Sequence, residues 1–90
     1  MTIHRAVVYN KDGLHLRPAS IIAQAAQQYS CSIWLEKNTF KVDAKSVISI
    51  LTLDASFQSE LQVSAEGKDE KKAAAEITAL CEQNFSEMLD

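Results

Sequence analysis

Paired cysteines, a surplus of basic residues and long apolar runs are all missing from this sequence. Its two cysteines, Cys31 and Cys81, form no CxxC pair and lie far apart, as do its two histidines. The sequence therefore predicts two reduced core thiols and no metal site. The formal net charge is −3, which argues against a nucleic-acid partner, because such a partner calls for a basic stripe on the surface.

The N-terminal residues "MTIHRAVVYN" lack the apolar segment of a signal peptide. No other segment approaches the length needed to span a bilayer. We therefore expect a cytoplasmic protein that makes no membrane contact.

The chain has 90 residues, of which 47% are hydrophobic and 23% charged, an ordinary balance for a globular domain. A chain of this length buries only about two-thirds of its unfolded surface. We expect one domain over residues 1–90, with one core and no room for a deep, enclosed active site.

The hydrophobic pattern predicts an α+β fold with the element order β-α-β-β-α-β-α. Alternating strands have one face on a core and one toward water, which indicates an open-faced sandwich, a four-stranded antiparallel sheet with three helices on one face. Trp34 is then expected on the open face, sheltered by long neighbouring side chains. The predicted strands are residues 2–9, 31–37, 40–44 and 60–66, and the helices start at Leu16, Val47 and near Asp69, with Ser46 as an N-cap.

Two shared faces are also predicted from spacing. Phe40, Val42 and Ala44 share one side of the third strand. The inner face of the last helix is expected to contain Ala73, Ile77, Leu80, Cys81 and Phe85.

The segment "DGLHLRPAS", residues 12–20, places His15 immediately before a helix start. Unpaired N–H groups and a partial positive charge make a helix start a binding site for phosphate. The positive end disfavours the imidazolium form, and a neutral imidazole nitrogen is a nucleophile that can accept a phosphoryl group. Arg17 can hold phosphate oxygens, and Pro18 stiffens the turn. The alternative is a solvated loop histidine near a structural arginine.

The segments "GLHLRPAS" and "AKSVISILTLD" together closely resemble HPr, the histidine-containing phosphocarrier family of the bacterial phosphoenolpyruvate-dependent sugar phosphotransferase system. The resemblance covers essentially the whole chain. It implies that phosphorylated enzyme I passes its phosphoryl group to Nδ1 of His15, that Arg17 assists, and that enzyme IIA domains receive the group on its way to sugar. The protein is then a monomeric carrier without a cofactor or metal, and not an enzyme.

The same resemblance assigns roles to further residues. Asp12, Gly13 and Pro18 form a loop that supports the phosphate. Ser46 matches the regulatory serine that an HPr kinase/phosphorylase modifies in many Gram-positive bacteria; the alternative is a serine that only caps its helix. The residues expected to contact partners are Leu16, Ser20, Val47, Ile48 and Leu51.

The helix "VISILTL" is apolar on too many sides to be wholly buried. Ile50 and Leu53 are expected to face the core, so the remaining apolar residues form an exposed patch beside the reactive group. A carrier that docks on two partners in turn needs such a patch. The alternative is that all are core residues. This docking patch consists of Val47, Ile48 and Leu51.

The sequence also departs from the family pattern. The family usually has glycine at the position of Asp54 and often near Gln58, and some members have a basic residue where Gln24 or Gln27 stands. The C-terminus extends a few residues further than is usual. These departures bear on the choice of partners.

Three other functions are weighed against sugar transport. The first is a regulatory phosphocarrier of the nitrogen-related branch, whose members share the "LD" that ends in Asp54. The second is a non-catalytic α+β module that binds RNA on its open sheet face, although that face offers Trp34 and little positive charge. The third is a small phosphatase, which lacks an acid–base residue paired with His15.

Overall fold

The computed structural model describes residues 1–85. Four antiparallel strands form one sheet in the order β1-β4-β2-β3, and three helices pack on one of its faces, as the sequence predicts. The C-terminal extension lies outside the described residues. In chain order the elements are β1 Thr2–Val7, α1 Leu16–Gln27, β2 Ser32–Lys37, β3 Phe40–Asp43, α2 Val47–Thr52, β4 Glu60–Glu66 and α3 Glu70–Glu82.

The core forms between the helices and the inner face of the sheet. In the central pair of strands, Val63 of β4 lies opposite Leu35 of β2, and both are fully buried. The helices contribute Ile22, Ile50 and Ile77, which are also fully buried. Apolar burial of this kind supplies the main driving force for folding.

The structure shifts several predicted boundaries and faces. The first strand ends at Val7, two residues before its predicted end, because the backbone of Val8 pairs instead with the loop at Ser59 and Gln58. The third strand ends before Ala44, although Ala44 is buried as expected. Phe40 is 53% exposed, because it begins an edge strand where no neighbour covers one side.

The last helix also differs in detail from its prediction. It starts at Glu70, with Asp69 as an N-cap in the left-handed region at φ 60°. Leu80, expected in the inner face, is half-buried, whereas Ala74 is fully buried and was not expected there. Small residues at two adjacent positions let α3 lie close to the sheet, so the buried stripe is shifted toward Ala73 and Ala74.

The C-terminal end of α3 contacts the end of the edge strand β1. The Glu82 carboxylate accepts a hydrogen bond from the Val7 backbone N–H at 3.0 Å. An edge strand with unpaired N–H groups is a template for pairing with another chain, so this contact reduces that exposure.

Trp34 lies on the open face of the sheet and is half-buried. The Lys41 ammonium lies 4.6 Å from the centroid of its ring, a cation–π distance. Trp34 is thus sheltered by a long neighbouring side chain.

Both cysteines are buried and free, and burial raises the pKa of the Cys81 thiol to about 12. Within residues 1–85, no cluster of three or more His, Cys, Asp or Glu residues could hold a metal ion. None of the helices in the same range is long and apolar enough to cross a membrane.

Candidate phosphoryl-acceptor site

His15 is the N-cap residue of α1. Its backbone is extended, with φ −82° and ψ −167°, and its side chain makes no capping hydrogen bond to the helix. The residue is exposed, and so is the adjacent Leu16, at 62%. An imidazole in this position is open to approach by a second protein.

The loop before His15 is held by a buried asparagine. Asn10 is fully buried, and its Nδ2 group donates a hydrogen bond to the Gly13 carbonyl at 2.6 Å. The Gly13 N–H donates in turn to the Asn10 carbonyl at 2.9 Å. These reciprocal bonds close the turn and fix the point from which His15 projects.

Gly13 also joins this loop to the segment after α2. It has φ +73°, and a Cβ atom on it would lie 2.5 Å from the Ala55 carbonyl oxygen. The next residue, Leu14, donates its N–H to that same oxygen at 2.8 Å. Only glycine combines this backbone conformation with such a close approach, so Gly13 is required where the sequence predicts a supporting loop.

A cleft of about 230 Å³ opens at the junction of the two segments. His15 lines this cleft, as does Leu51 of α2, so the predicted acceptor and one residue of the docking patch share a surface. The cleft is lined by Asp12, Leu14, His15, Leu51, Asp54, Ala55 and Ser56. His4, which lies in β1 opposite Val63, is not among them.

The first turn of α1 provides positive potential beside His15. It contains no acidic residue, and its backbone N–H groups point out of the helix end. Arg17 is exposed on this turn. Pro18 is buried at the third helical position, where a missing N–H costs nothing, and the Ala19 N–H donates to the His15 carbonyl at 3.0 Å.

Ser46 caps α2 as the sequence predicts. Its hydroxyl accepts a hydrogen bond from the Ser49 N–H at 3.2 Å. A hydrogen bond from Gln27 Nε2 to the Lys45 carbonyl, at 2.9 Å, connects the end of α1 to this start of α2. The two helices that carry the predicted site residues are therefore tied together.

The docking patch has one fully projecting member. Ile48 is 70% exposed, whereas Val47 and Leu51 are partly buried and pack against the core. Ile50 and Leu53 face the core as expected. The remaining predicted contact residue, Ser20, is half-buried on α1.

A second groove, of about 290 Å³, contains none of the predicted site residues. It is lined by Arg5, Glu36, Asn38, Thr39, Glu60, Leu61 and Gln62. Its ionisable groups have mixed sign, and the side chains of Arg5 and Glu60 form an ion pair with each other. Its lining contains no histidine.

Sequence reasoning did not find the structural roles of Asn10 and Ala55. Asn10 looks like an ordinary turn residue, and only the structure shows that its side chain is buried and paired. Ala55 contacts Gly13 and Leu14 through its backbone carbonyl, so its side chain gives no sign of the role. The available signal was the family's preference for glycine at the position of Asp54 and near Gln58, which points to a left-handed backbone after α2. Both residues have such a backbone, at φ 50° and 71°.

The family model described as "PTS HPr component phosphorylation site" matches residues 4–83. The chain belongs to the HPr family. The chain is 37% identical to the phosphocarrier protein HPr of Treponema pallidum over 87 residues. The alignment covers 97% of this chain and 99% of that protein. It is therefore an HPr-type phosphocarrier by family.

Solved structures of HPr proteins have the same fold. HPr-C-His from Thermoanaerobacter tengcongensis is 40% identical, with a TM-score of 0.86 and coverage of 90% of this chain and 91% of that one. Crh of Bacillus subtilis, described as a catabolite repression protein and as a dimer with a swapped domain, is 33% identical. Its TM-score is 0.72, with 90% and 93% of the two chains covered.

Proposed function

We propose that this HPr-family protein accepts a phosphoryl group on Nδ1 of His15 from phosphorylated enzyme I and passes it to enzyme IIA domains. The observation that carries the proposal is the exposed His15 ring at the N-cap of a twelve-residue helix whose first turn contains Arg17 and no acidic residue. Helix N–H groups and a guanidinium stabilise the charge of a phosphoryl group without enclosing it.

The transfer is a simple exchange of bonds. A ring nitrogen of His15 attacks the phosphorus carried by enzyme I, a new N–P bond forms, and the bond between phosphorus and enzyme I breaks. The proton that the His15 ring gives up is taken by the group freed on enzyme I. In the second transfer, a nucleophile of enzyme IIA attacks the phosphorus, and the N–P bond at His15 breaks. Because both partners must reach the same ring, the exposure of His15 serves the carrier role. Leu16, next to it in the chain, and Ile48 on α2 are exposed apolar residues that a partner can contact.

The test is phosphorylation by labelled phosphoenolpyruvate and enzyme I. We expect label on the wild type and on His4→Ala, the matched control for the second histidine, and none on His15→Ala. Arg17→Ala should accept label but transfer it to an enzyme IIA more slowly. Persistent labelling of His15→Ala would contradict the assignment.

We propose that Ser46 regulates this transfer in cells that contain an HPr kinase/phosphorylase. Its hydroxyl caps α2 beside the docking patch, so a phosphate there would add close to two negative charges where enzyme I presents its own phosphoryl group. Repulsion should slow the encounter. The helix start should tolerate the charge.

Ser46→Asp tests the regulation, and Ser46→Asn is its matched control, because asparagine caps a helix equally well without a charge. We expect Ser46→Asp alone to slow phosphorylation of His15, most strongly at low salt, with little change in melting temperature. Equal rates for both variants at low salt would show that Ser46 only caps α2.

A regulatory role is the second candidate, and the similarity to Crh favours considering it. The chemistry at His15 is the same in both cases, and the difference lies in the partners. Rates of phosphorylation by sugar-type and nitrogen-type enzyme I proteins distinguish the two. A monomeric state is also proposed, and sedimentation at several concentrations tests it against a Crh-like dimer.

A further inference from the structure

Asp54 is held in a fixed position at the end of α2. Its backbone has φ 50°, and its carbonyl oxygen accepts a hydrogen bond from Lys37 Nζ at 2.7 Å. The same ammonium binds the Leu53 carbonyl at 3.2 Å. Lys37 therefore binds the backbone at this point, and the Asp54 side chain is on a short, anchored segment.

This segment rests directly on the loop that carries His15. The contact of Ala55 with Gly13 and Leu14 fixes the distance between the segment after α2 and the loop before His15. Asp54 and Asp12 line the same cleft as His15. The cleft thus has one acidic residue from each of its two segments. No lysine or arginine lines it, and Lys37 reaches this segment through the backbone carbonyls of Leu53 and Asp54.

On the side of His15 that adjoins α1, the electrostatic potential is positive. The N-terminus of α1 carries partial positive charge, its first turn has no acidic residue, and Arg17 is exposed there. A phosphoryl group on the ring therefore experiences repulsion from the cleft and attraction toward the helix.

We propose that Asp54, together with Asp12, is a positioning residue for phosphorylated His15, one that keeps the phosphoryl group out of the cleft and raises its tendency to leave. This inference rests on the proposed function of His15. The carboxylates act on the charge of the phosphoryl group after the N–P bond has formed.

The equilibrium of the overall reaction isolates this effect. Phosphoenolpyruvate gives its phosphoryl group to His15, with enzyme I as the intermediate, and pyruvate is released after its enol takes up a proton. Enzyme I is a catalyst here, so its affinity for the carrier changes the rate of approach to equilibrium and not the position. A change in docking therefore cannot produce the expected shift.

The experiment measures the phosphoenolpyruvate-to-pyruvate ratio that phosphorylates half of the protein. Asp54→Asn is the main variant, because asparagine tolerates the left-handed backbone and removes only the charge. Asp12→Asn is the second variant. Asp43→Asn is the matched control, since Asp43 is an exposed aspartate on β3, outside the cleft.

At low salt we expect the half-phosphorylation ratio to fall about threefold for each cleft variant and to stay unchanged for Asp43→Asn. In 1 M salt, where charges are screened within about 3 Å, the difference should disappear. Equal ratios at low salt, or a shift that persists in 1 M salt, would overturn the inference while leaving the proposed function intact. A wild type that is never phosphorylated would overturn both.

Discussion

His15 combines an exposed ring with a fixed backbone. The ring lies at the surface, whereas the turn before it is closed by the buried Asn10 and by the contact of Gly13 with Ala55. A reacting group that is held in place loses little freedom when a partner arrives, so less of the binding energy is spent on ordering it. A carrier can therefore present the same geometry to each of its two partners.

Gln58 illustrates the cost of a side chain at a strained position. Its φ of 71° lies in the left-handed region, where a residue other than glycine is disfavoured by about 1–2 kcal/mol. Gln58→Gly should raise the free energy of unfolding by about 0.5–1 kcal/mol, since relief of strain outweighs the added freedom of the unfolded chain. Urea denaturation measures this change.

Gln24→Gly is the matched control for that substitution. Gln24 is exposed within α1, where glycine should lower the free energy of unfolding by about 1 kcal/mol. A loss of stability in both variants would show that the backbone at Gln58 is not strained.

At the scale of elements, α2 has two faces with different tasks. Ile50 is fully buried on one, and Ile48 is 70% exposed on the other. Two isoleucines two residues apart therefore report separately on folding and on docking. Because Leu51 lines the cleft with His15, the docking face adjoins the acceptor site.

Ile48→Glu should weaken binding to both enzyme I and enzyme IIA by about 1–3 kcal/mol, because it places a charge in the centre of a small apolar contact. The melting temperature should change little. Calorimetric titration with each partner measures the effect.

Two further variants act as controls for α2. Ile3→Glu, at a residue that is 54% exposed on β1, should leave both affinities unchanged. Ile50→Ala should cost about 2–5 kcal/mol of stability. Unchanged affinity of Ile48→Glu for both partners would show that Ile48 is not part of the docking patch.

The elements also show how far the sequence could predict this molecule. Periodicity and the cap at Ser46 were sufficient for the element order, because each depends on residues close together in the chain. The contact between Gly13 and Ala55 could not be predicted, since it joins backbone atoms that are distant in sequence and leaves no pattern. The exposure of Phe40 could not be predicted for a related reason. Alternation places Phe40 on one face with Val42 and Ala44, but it does not show where the covering helices stop.

At the scale of the whole molecule, one carboxylate connects three parts of the chain away from the site. Glu70, at the start of α3, accepts hydrogen bonds from the Thr2 hydroxyl at 2.7 Å and the Gly67 N–H at 3.1 Å. It also pairs with the N-terminal amine at 3.2 Å. These hydrogen bonds, with that of Thr2 the largest contribution, lower the pKa of Glu70 from 4.5 to about 2.

This shift predicts the direction of a pH effect on stability. A folded-state pKa below the ordinary value means that ionised Glu70 stabilises the fold above about pH 4.5, and that this contribution is lost as the pH falls toward 2. Wild type should melt at a higher temperature than Glu70→Gln at pH 7, and the two should converge near pH 2. Melting curves across this range check the prediction.

Glu66→Gln, at an exposed position on β4, is the control and should follow the wild type throughout. A constant difference between wild type and Glu70→Gln from pH 7 to pH 2 would show that the stabilisation does not depend on the charge of Glu70.

The most direct test of the account is to observe the phosphoryl group on the ring. Nuclear magnetic resonance of the protein labelled with ¹⁵N in its histidines, recorded at alkaline pH after reaction with phosphoenolpyruvate and enzyme I, identifies the nitrogen bonded to phosphorus. The account predicts phosphorus coupling to Nδ1 of His15, with the His4 signals unchanged. Phosphorus coupling to His4, or a phosphoryl group that is stable in acid and located on Ser46 alone, would contradict it.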